Sequence, residues 1–559
     1  MTTAHLEIDA GDSQNFLRAW QTWRANPQHP RLLHYVVICG DEFQNAGFDA
    51  ELKPLAVQLD AQLWGLLPGF HRLVFEDGQV LLTVCVGELP TLLKQQQFEA
   101  DSVFLNTPAL ASLDTLYTVK AIARLCKRGT DLRVSVTHPA LQAALKQCGF
   151  EMTTPDGLQA VYNPAWRTKK SISRVQPRSC IVIGAGLAGA AVASSLARRG
   201  WAVTVLDAAS QPASGASSLP AGLLVPHTSP DDSPLSRLSR AGVRITLQQA
   251  RAVLKHGIDW GQSGVLQRDL DGGSLNLPPK WALDESQAAA DWCYNASPKT
   301  LAAAGLPPGS PALWHAQAGW VKPAALVRAW LAAPGIAWRG DAQVAQLKQT
   351  SSGWQVLDAA SELLAQADLV VLSAGYASRA LASAAGAPLP KSAPDLRAIR
   401  GQVTFGLQRD SDPLPPFPVN GHGGLIPAIT TPDGPLWLMG ASYERDAKQP
   451  TINQQDHADN LARLQTLVPQ VAAALTDQFT GERAQGWAGI RCATPNRLPL
   501  VMPLEATGLW LCTGMGSRGL TFAALCAELL AAKLHGEPLP IEQRLAQSLV
   551  AAKPILQKQ

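Results

Sequence analysis

Three glycines and an acid stand out as residues whose types and spacing could do chemistry. They lie in the run from Cys180 to Asp207, CIVIGAGLAGAAVASSLARRGWAVTVLD. Gly184 permits a tight turn, Gly186 lets backbone approach a pyrophosphate, and Gly189 lets a helix pack closely on a strand, with the helix N-terminus facing the phosphates. Asp207 closes the second strand, where a carboxylate can accept a hydrogen bond from a ribose 2′-OH. A lone GxGxxG is weak, but strand, turn, helix, strand and acid in this order define a dinucleotide-binding unit. Residues 179–197 carry no charge and are long enough to span a bilayer, yet the glycine spacing and the Arg198-Arg199 pair before a β-branched strand favour the nucleotide unit.

The rest of the chain must position that unit. At 559 residues and 46% hydrophobic content, several domains with buried cores are expected. No N-terminal apolar segment and no second long apolar run occur, so no membrane association and a cytoplasmic location are expected. Nine cysteines lack CxxC or zinc-finger spacing, which predicts reduced, buried thiols and no metal. A net charge of +3 neither demands nor excludes a nucleic acid. Arg167, Lys169, Lys170, Arg174 and Arg178 form an acid-free basic stretch, RTKKSISRVQPRS, that reads as a solvated linker or a phosphate contact. The main domain boundary is placed at Lys170 to Pro177.

Beyond Asp207, GASSLPAGLLVP (Gly215 to Pro226) offers small residues able to wrap amides round a pyrophosphate and ribose. ADLVVLSAGYAS (Ala367 to Ser378) is a buried strand ending in Ala374-Gly375. The closing LWLCTGMGSRGLTFAALCAELLAAKL repeats strand, glycine turn and helix, with Gly514, Gly516 and Gly519 giving a second helix N-terminus able to face a polar ring edge or a carboxylate. An NAD fold would continue in regular βα alternation, whereas a long irregular segment with tryptophans follows here. GQVTFGLQ and PLWLMGASYE predict mixed strands of a substrate domain.

This ordered set resembles the flavoprotein family of D-amino acid oxidase, glycine oxidase and sarcosine oxidase. The resemblance covers about residues 178–540. It implies FAD bound by Gly184, Ala185, Gly186, Gly189, Asp207, Ser217, Ala221, Gly222, Ala374, Gly375, Gly514, Gly516, Ser517, Gly519 and Leu520, with Val344 of DAQV meeting the adenine through its backbone. It also puts two arginines where a substrate carboxylate would be held: Arg491 in WAGIRCATPNRLPL and Arg518 in GMGSRGL. A planar guanidinium binds a carboxylate bidentately. Cys492, not proline, follows Arg491, a departure from the Gly-x-Arg-Pro segment of glycine oxidase. His422 in NGHGGLIP and Tyr443 in ASYERD are expected to line the pocket, and no histidine is assigned a catalytic role.

Longer strings, among them AGWVKPAALVRAWL, RGQVT, LMGASYERD, RCATPNRLPLV and GSRGLT, resemble the oxidoreductase half of the MnmC family, two-domain tRNA wobble-uridine modification enzymes. The resemblance implies oxidative removal of the carboxymethyl group from 5-carboxymethylaminomethyl-(2-thio)uridine in tRNA, giving 5-aminomethyl-uridine and glyoxylate. The family fuses a methyltransferase using S-adenosylmethionine in front, and NFLRAWQTWR, LLPGFHRLVFEDGQVLLTVCVGE and ALKQCGFEM are similar to it, with the chain starting late in that domain.

Three positions depart from the methyltransferase pattern. The glycine-rich turn reads LEIDAGDSQNFL with Gly11 alone, Cys39 stands where an acid is expected, and Asn106-Thr107 replaces an Asp-Gly pair. Side chains in that turn block close backbone approach to a cofactor, so methyl transfer is expected to be lost. A hairpin at Glu76-Asp77-Gly78 and the helical ALQAALKQCGF still predict a folded core, suited to docking on the flavin domain or seating tRNA, or left as a remnant.

The expected fold is α/β: a Rossmann-like FAD-binding domain of the D-amino acid oxidase type with a mixed-sheet substrate domain, preceded by a degenerate methyltransferase-like α/β domain. The division is 1–166, a basic linker 167–178, and an oxidoreductase 179–559. Within the last, the FAD part is 179–225, 341–396 and 491–545, and the substrate part is 226–340 and 397–490. A monomer is expected. A small-molecule amine oxidase and a non-catalytic tRNA-binding flavoprotein stay open as alternatives; a pocket open to a polynucleotide and rimmed by Arg174, Arg178, Arg237 and Arg240 would favour tRNA.

Overall fold

A computed structural model describes residues 2–9, 11–40, 43–45, 49–106, 115–168, 175–270, 272, 276–279, 281, 287–447, 449–480 and 484–550. Thr107, Lys169, Lys170 and Arg174 lie outside the described residues. Two compact units divide the chain: Met1–Gln176 with Glu528–Gln547, and Pro177–Ala527 with Ser548–Gln559.

The first unit is built on a mixed sheet in the order Gly69–Phe75, Val80–Val86, Leu32–Cys39, Thr2–Ile8, Ala100–Leu105, Cys126–Val134, Gln159–Tyr162, Phe150–Met152. Its central strand, LLHYVVIC, is buried at every position, as a parallel strand covered on both faces requires. The antiparallel pair Gly69–Phe75 and Val80–Val86 turns through a 3-10 segment at Glu76–Gly78, where the sequence places the hairpin. The helix Pro139–Gln147 carries the ALQAALKQ pattern, started by a proline and by the His138 side chain accepting from the Leu141 N–H. Glu528–Gln547 belongs to this unit, whereas the sequence division runs the FAD part on to 545. Buried Arg72 donates to the Pro538 carbonyl (2.7 Å), and the Leu539 N–H donates to Gln96 Oε1 (3.2 Å).

The second unit holds a sheet in the order Ile336–Arg339, Ala202–Leu206, Ser179–Ile183, Leu369–Leu372, Leu509–Thr513, Leu500–Pro503, parallel but for the last strand. Residues 179–197 thus form a strand, a glycine turn and the helix Leu187–Arg198. Among the described residues no helix is long and apolar enough to cross a membrane. The helix packs close because Gly189 has no side chain: a β-carbon there would stand 1.8 Å from the Gly184 carbonyl oxygen.

A larger mixed sheet in this unit carries Val265–Arg268, Val419–Gly421, Gly423–Thr431, Gly434–Gly440 and Arg397–Leu407, with Gln485–Ala493 paired antiparallel to Arg397–Leu407. GQVTFGLQ and PLWLMG fall on its strands as the sequence predicts. Arg400 locks one edge from inside: 1% exposed, it donates to Asp456 (2.6 Å), Glu444 (3.1 Å) and Gln402 (2.8 Å).

Candidate functional site

The glycine turn, the two later glycine segments and the large mixed sheet meet round one cavity of about 1250 Å³. That exceeds the roughly 300–1,000 Å³ of an ordinary small-molecule pocket and leaves room for a dinucleotide beside a substrate. At one wall, Gly184 takes φ +109, where a β-carbon would also meet the Ser373 carbonyl at 2.5 Å. Asp207 is oriented by two backbone donors, Ala185 N–H (2.7 Å) and Ala209 N–H (2.9 Å), which leaves lone pairs for a sugar hydroxyl. Ser217 Oγ accepts from the Leu187 N–H at the start of the helix (3.0 Å).

Every expected cofactor position lines this cavity except Ala185 and Gly189: Gly184, Gly186, Asp207, Ser217, Ala221, Gly222, Val344, Ala374, Gly375, Gly514, Gly516, Ser517, Gly519 and Leu520. Ala185 and Gly189 shape the turn from behind. Ser373, which sequence reasoning missed, also lines the cavity and has a buried hydroxyl with no partner among the described residues. An orphaned hydroxyl and a glycine-lined helix N-terminus fit a polar dinucleotide such as FAD.

Arg491 projects from Gln485–Ala493 into the same cavity. One guanidinium nitrogen donates to Ser517 Oγ (3.0 Å), the other to the Ser442 carbonyl (3.1 Å), and the buried Nε has no partner. The guanidinium stands 5.8 Å from the centroid of the Tyr443 ring, within cation–π range. Tyr443 lines the cavity and is exposed, the position of a lid and not of a core side chain. Burial lowers the pKa of Arg491, with Tyr443 opposing.

Arg518 ends the turn before the helix Gly519–His535 and also lines the cavity. Burial and then Arg497 lower its pKa. Among the described residues no carboxylate pairs with Arg491, Arg497 or Arg518. Such uncompensated cations make the cavity a site for an anion.

One sequence expectation needs correction. His422 is exposed between Val419–Gly421 and Gly423–Thr431 and is not among the lining residues, although Asn420, Gly421 and Gly423 are. His227 lines the cavity instead, held by Ser236 Oγ at Nδ1 (3.0 Å). Its pKa falls to about 4, through burial first and then the charges of Arg518 and Arg497. Of the four arginines whose presence at a rim would favour tRNA, Arg174 lies outside the described residues. Arg178 pairs with Asp368 (3.5 Å) and Arg240 with Asp232 (2.6 Å), and neither they nor Arg237 line the cavity.

In the first unit, Asp9, Cys39 and Asn106 stand at the C-terminal ends of three neighbouring strands, Thr2–Ile8, Leu32–Cys39 and Ala100–Leu105. Asp9 adopts φ +58, a conformation glycine takes without strain, and Asn106 Nδ2 donates to its carbonyl (3.2 Å). Cys39 is buried with its thiol directed at the Cys85 carbonyl (3.6 Å). Glu7, also buried, accepts from Asn15 (2.6 Å) and Tyr35 (2.8 Å), and burial raises its pKa.

Fold, cavity and family match together define an FAD-dependent oxidoreductase of the D-amino acid oxidase fold, with a methyltransferase-like unit preceding it in the sequence. Residues 179–533 match the FAD dependent oxidoreductase family, and residues 50–160 match an S-adenosyl-L-methionine-dependent methyltransferase family. Among solved structures, glycine oxidase from Bacillus cereus ATCC 14579 shares the fold with a TM-score of 0.53 at 21% identity, covering 68% of this chain and 99% of that one. Glycine oxidase from Geobacillus kaustophilus gives 0.52 at 18%, covering 67% and 99%. The tRNA 5-methylaminomethyl-2-thiouridine biosynthesis bifunctional protein MnmC of Polaromonas sp. strain JS666 is 53% identical over 97% of this chain and 90% of its own length. The protein of that name from Ralstonia nicotianae is 35% identical over 97% and 88%. The chain belongs to the MnmC family.

Proposed function

We propose that this protein oxidises the wobble uridine of tRNA, removing the carboxymethyl group from 5-carboxymethylaminomethyl-(2-thio)uridine to leave 5-aminomethyl-uridine and glyoxylate, and that it no longer transfers methyl groups. The observation that carries this reading is Arg491, a guanidinium with no carboxylate partner among the described residues, in a cavity continuous with the glycine turn. The group to be removed is a glycine joined through its nitrogen, so its carboxylate suits that guanidinium. The names of the relatives, tRNA 5-methylaminomethyl-2-thiouridine biosynthesis proteins, support tRNA as the substrate class.

When bound, FAD supplies the two-electron oxidant for the C–N bond, and hydrolysis of the resulting substrate imine gives glyoxylate and the aminomethyl base. The lining residues Gly184, Gly186, Asp207, Ser217, Ala221, Gly222, Val344, Ser373, Ala374, Gly375, Gly514, Gly516, Ser517, Gly519 and Leu520 would hold it, with Ala185 and Gly189 shaping the turn. Arg491 and Arg518 fix the carboxylate and so aim the methylene carbon. Tyr443, with its ring beside the Arg491 guanidinium, would line the substrate side of the cavity. The same cations, with His227 kept neutral, disfavour a substrate ammonium, so the amine reacts neutral without a dedicated base.

Loss of methyl transfer is supported by three departures from the family pattern, Gly11 alone in its turn, Cys39 and Asn106-Thr107, and beside them Asp9 takes φ +58 with its carbonyl accepting from Asn106 Nδ2 (3.2 Å). The protein is further proposed to act as a monomer in the cytoplasm, where its proposed tRNA substrate is found. The test is mass spectrometry of wobble nucleosides after incubating the FAD-loaded protein with tRNA bearing the carboxymethylaminomethyl group, with and without S-adenosylmethionine. Conversion to the aminomethyl base, unchanged by the methyl donor, is expected. An unaltered base overturns the oxidase reading, and a methylated product overturns the loss of methyl transfer.

A further inference from the structure

Among the described residues, the cavity holds one cation that the oxidation itself does not use. Arg497 lines it and is exposed. A tight turn fixes it: the Arg497 N–H donates to the Thr494 carbonyl (3.1 Å), and Asn496 Oδ1 accepts from the Leu498 N–H (3.1 Å) and the Thr494 hydroxyl (2.9 Å). Its φ is +59, a left-handed conformation that side chains with a β-carbon avoid and glycine adopts freely. Turn geometry therefore favours glycine here, and an exposed side chain gains little from packing. What the arginine adds is its guanidinium.

That guanidinium has company but no counter-charge. Arg497, Arg518 and His227 all line this cavity; burial first and then the charge of Arg497 lower the pKa of Arg518, and burial, then Arg518, then Arg497 lower that of His227. None of the three is ion-paired to a carboxylate among the described residues. Arg491 is tied to Ser442 and Ser517 and half-buried, whereas Arg497 reaches solvent. An anion arriving from outside with its own polymer attached would meet Arg497 first.

We propose that Arg497 holds a backbone phosphate of the RNA beside the modified uridine, and so selects the base within a polynucleotide over the free nucleoside. This rests on the tRNA substrate proposed above. The rigid guanidinium fork matches phosphate geometry. A phosphate could also come from FAD, whose pyrophosphate the glycine turn suits, and the experiment separates the two sources.

The test uses full-length, FAD-loaded wild type, Arg497→Gln, Arg497→Gly and Arg497→Lys. Three quantities are read: affinity for a fluorescent anticodon stem-loop RNA carrying the modified uridine over a salt series, FAD affinity, and Tm. Loss of one phosphate contact is expected to weaken RNA binding in the Gln and Gly variants roughly tenfold and to reduce the log–log salt slope by about 0.7–0.9. The Lys variant keeps part of the affinity, and the Gly variant loses it while Tm holds or rises. In turnover, the loss on the stem-loop is expected to exceed the loss on the free nucleoside by about tenfold.

RNA binding equal to wild type in the Gln and Gly variants overturns the inference. So does a loss of FAD affinity in place of RNA affinity, or an RNA loss matched by a fall in Tm in both variants. A wild type that binds no RNA overturns the tRNA reading itself, and the role of Arg497 falls with it.

Discussion

Replacing Arg491 with methionine keeps a long, flexible side chain in the cavity and removes the guanidinium. In the structure that group makes two hydrogen bonds, to Ser517 and Ser442, and keeps a buried Nε without a partner. A bidentate carboxylate would add two charge-assisted bonds, each worth about 1.5–3 kcal/mol net. Together they amount to about 3–6 kcal/mol, or two to four orders of magnitude in kcat/KM at about 1.4 kcal/mol per tenfold. Burial already lowers the Arg491 pKa, so part of the gain offsets desolvation and the lower end, about a hundredfold, is expected. The assay is anaerobic stopped-flow bleaching of the flavin by substrate, repeated with an analogue whose carboxylate is replaced by a methyl group. Arg491→Met should lose about a hundredfold on the natural group and little on the analogue. Equal losses on both would refute the carboxylate assignment and leave Arg491 a structural side chain.

The remaining expectations concern glycines and histidines. Gly401→Ala would bring a β-carbon within 2.3 Å of the Arg491 guanidinium; because that atom ends a flexible side chain, Tm should hold while KM rises several-fold, by about 1 kcal/mol of misplacement. Gly189→Ala gains about 1 kcal/mol of helix propensity, but its β-carbon would stand 1.8 Å from a backbone oxygen. Overpacking of about 1–3 kcal/mol outweighs that gain, so a lower Tm and weaker FAD binding are expected by thermal melts and flavin fluorescence. His227 and His315 both have pKa values pushed down to about 4, each by burial first. The unfolded chain takes up those protons below about pH 6.5 while the folded chain does not. Their contribution to stability is therefore complete above about pH 6.5 and is lost as pH falls towards 4. Denaturant midpoints between pH 7 and 5 should fall less steeply in His315→Gln than in wild type.

Much of the nucleotide side of the site was legible because local rules govern it. A tight turn, a close helix and an acid at a strand tip each demand particular residues at fixed offsets, and Gly184, Gly189 and Asp207 sit as those demands require. The terminal glycine turn at Gly514 to Gly519 was readable for the same reason. The substrate side was less so. Val265–Arg268 pairs with Val419–Gly421 across a long sequence separation, and nothing local announces such a register. His227 and His422 are both histidines in polar loops, and only the packing of the loop onto Ser236 and Ser239 turns the first toward the cavity. Arg178 and Arg240 looked like free charges until the fold brought Asp368 and Asp232 to them. Arg497 carries no sequence signal at all, since its turn conformation would suit glycine.

The most direct measurement is a single turnover under anaerobic conditions, with FAD-loaded protein mixed with one equivalent of tRNA bearing the carboxymethylaminomethyl group. Flavin reduction should be complete, with one glyoxylate released per flavin, and free glycine or sarcosine at the same concentration should leave the flavin oxidised. Reduction by glycine or sarcosine, with the tRNA inert, would contradict the account and make this protein a small-molecule amine oxidase.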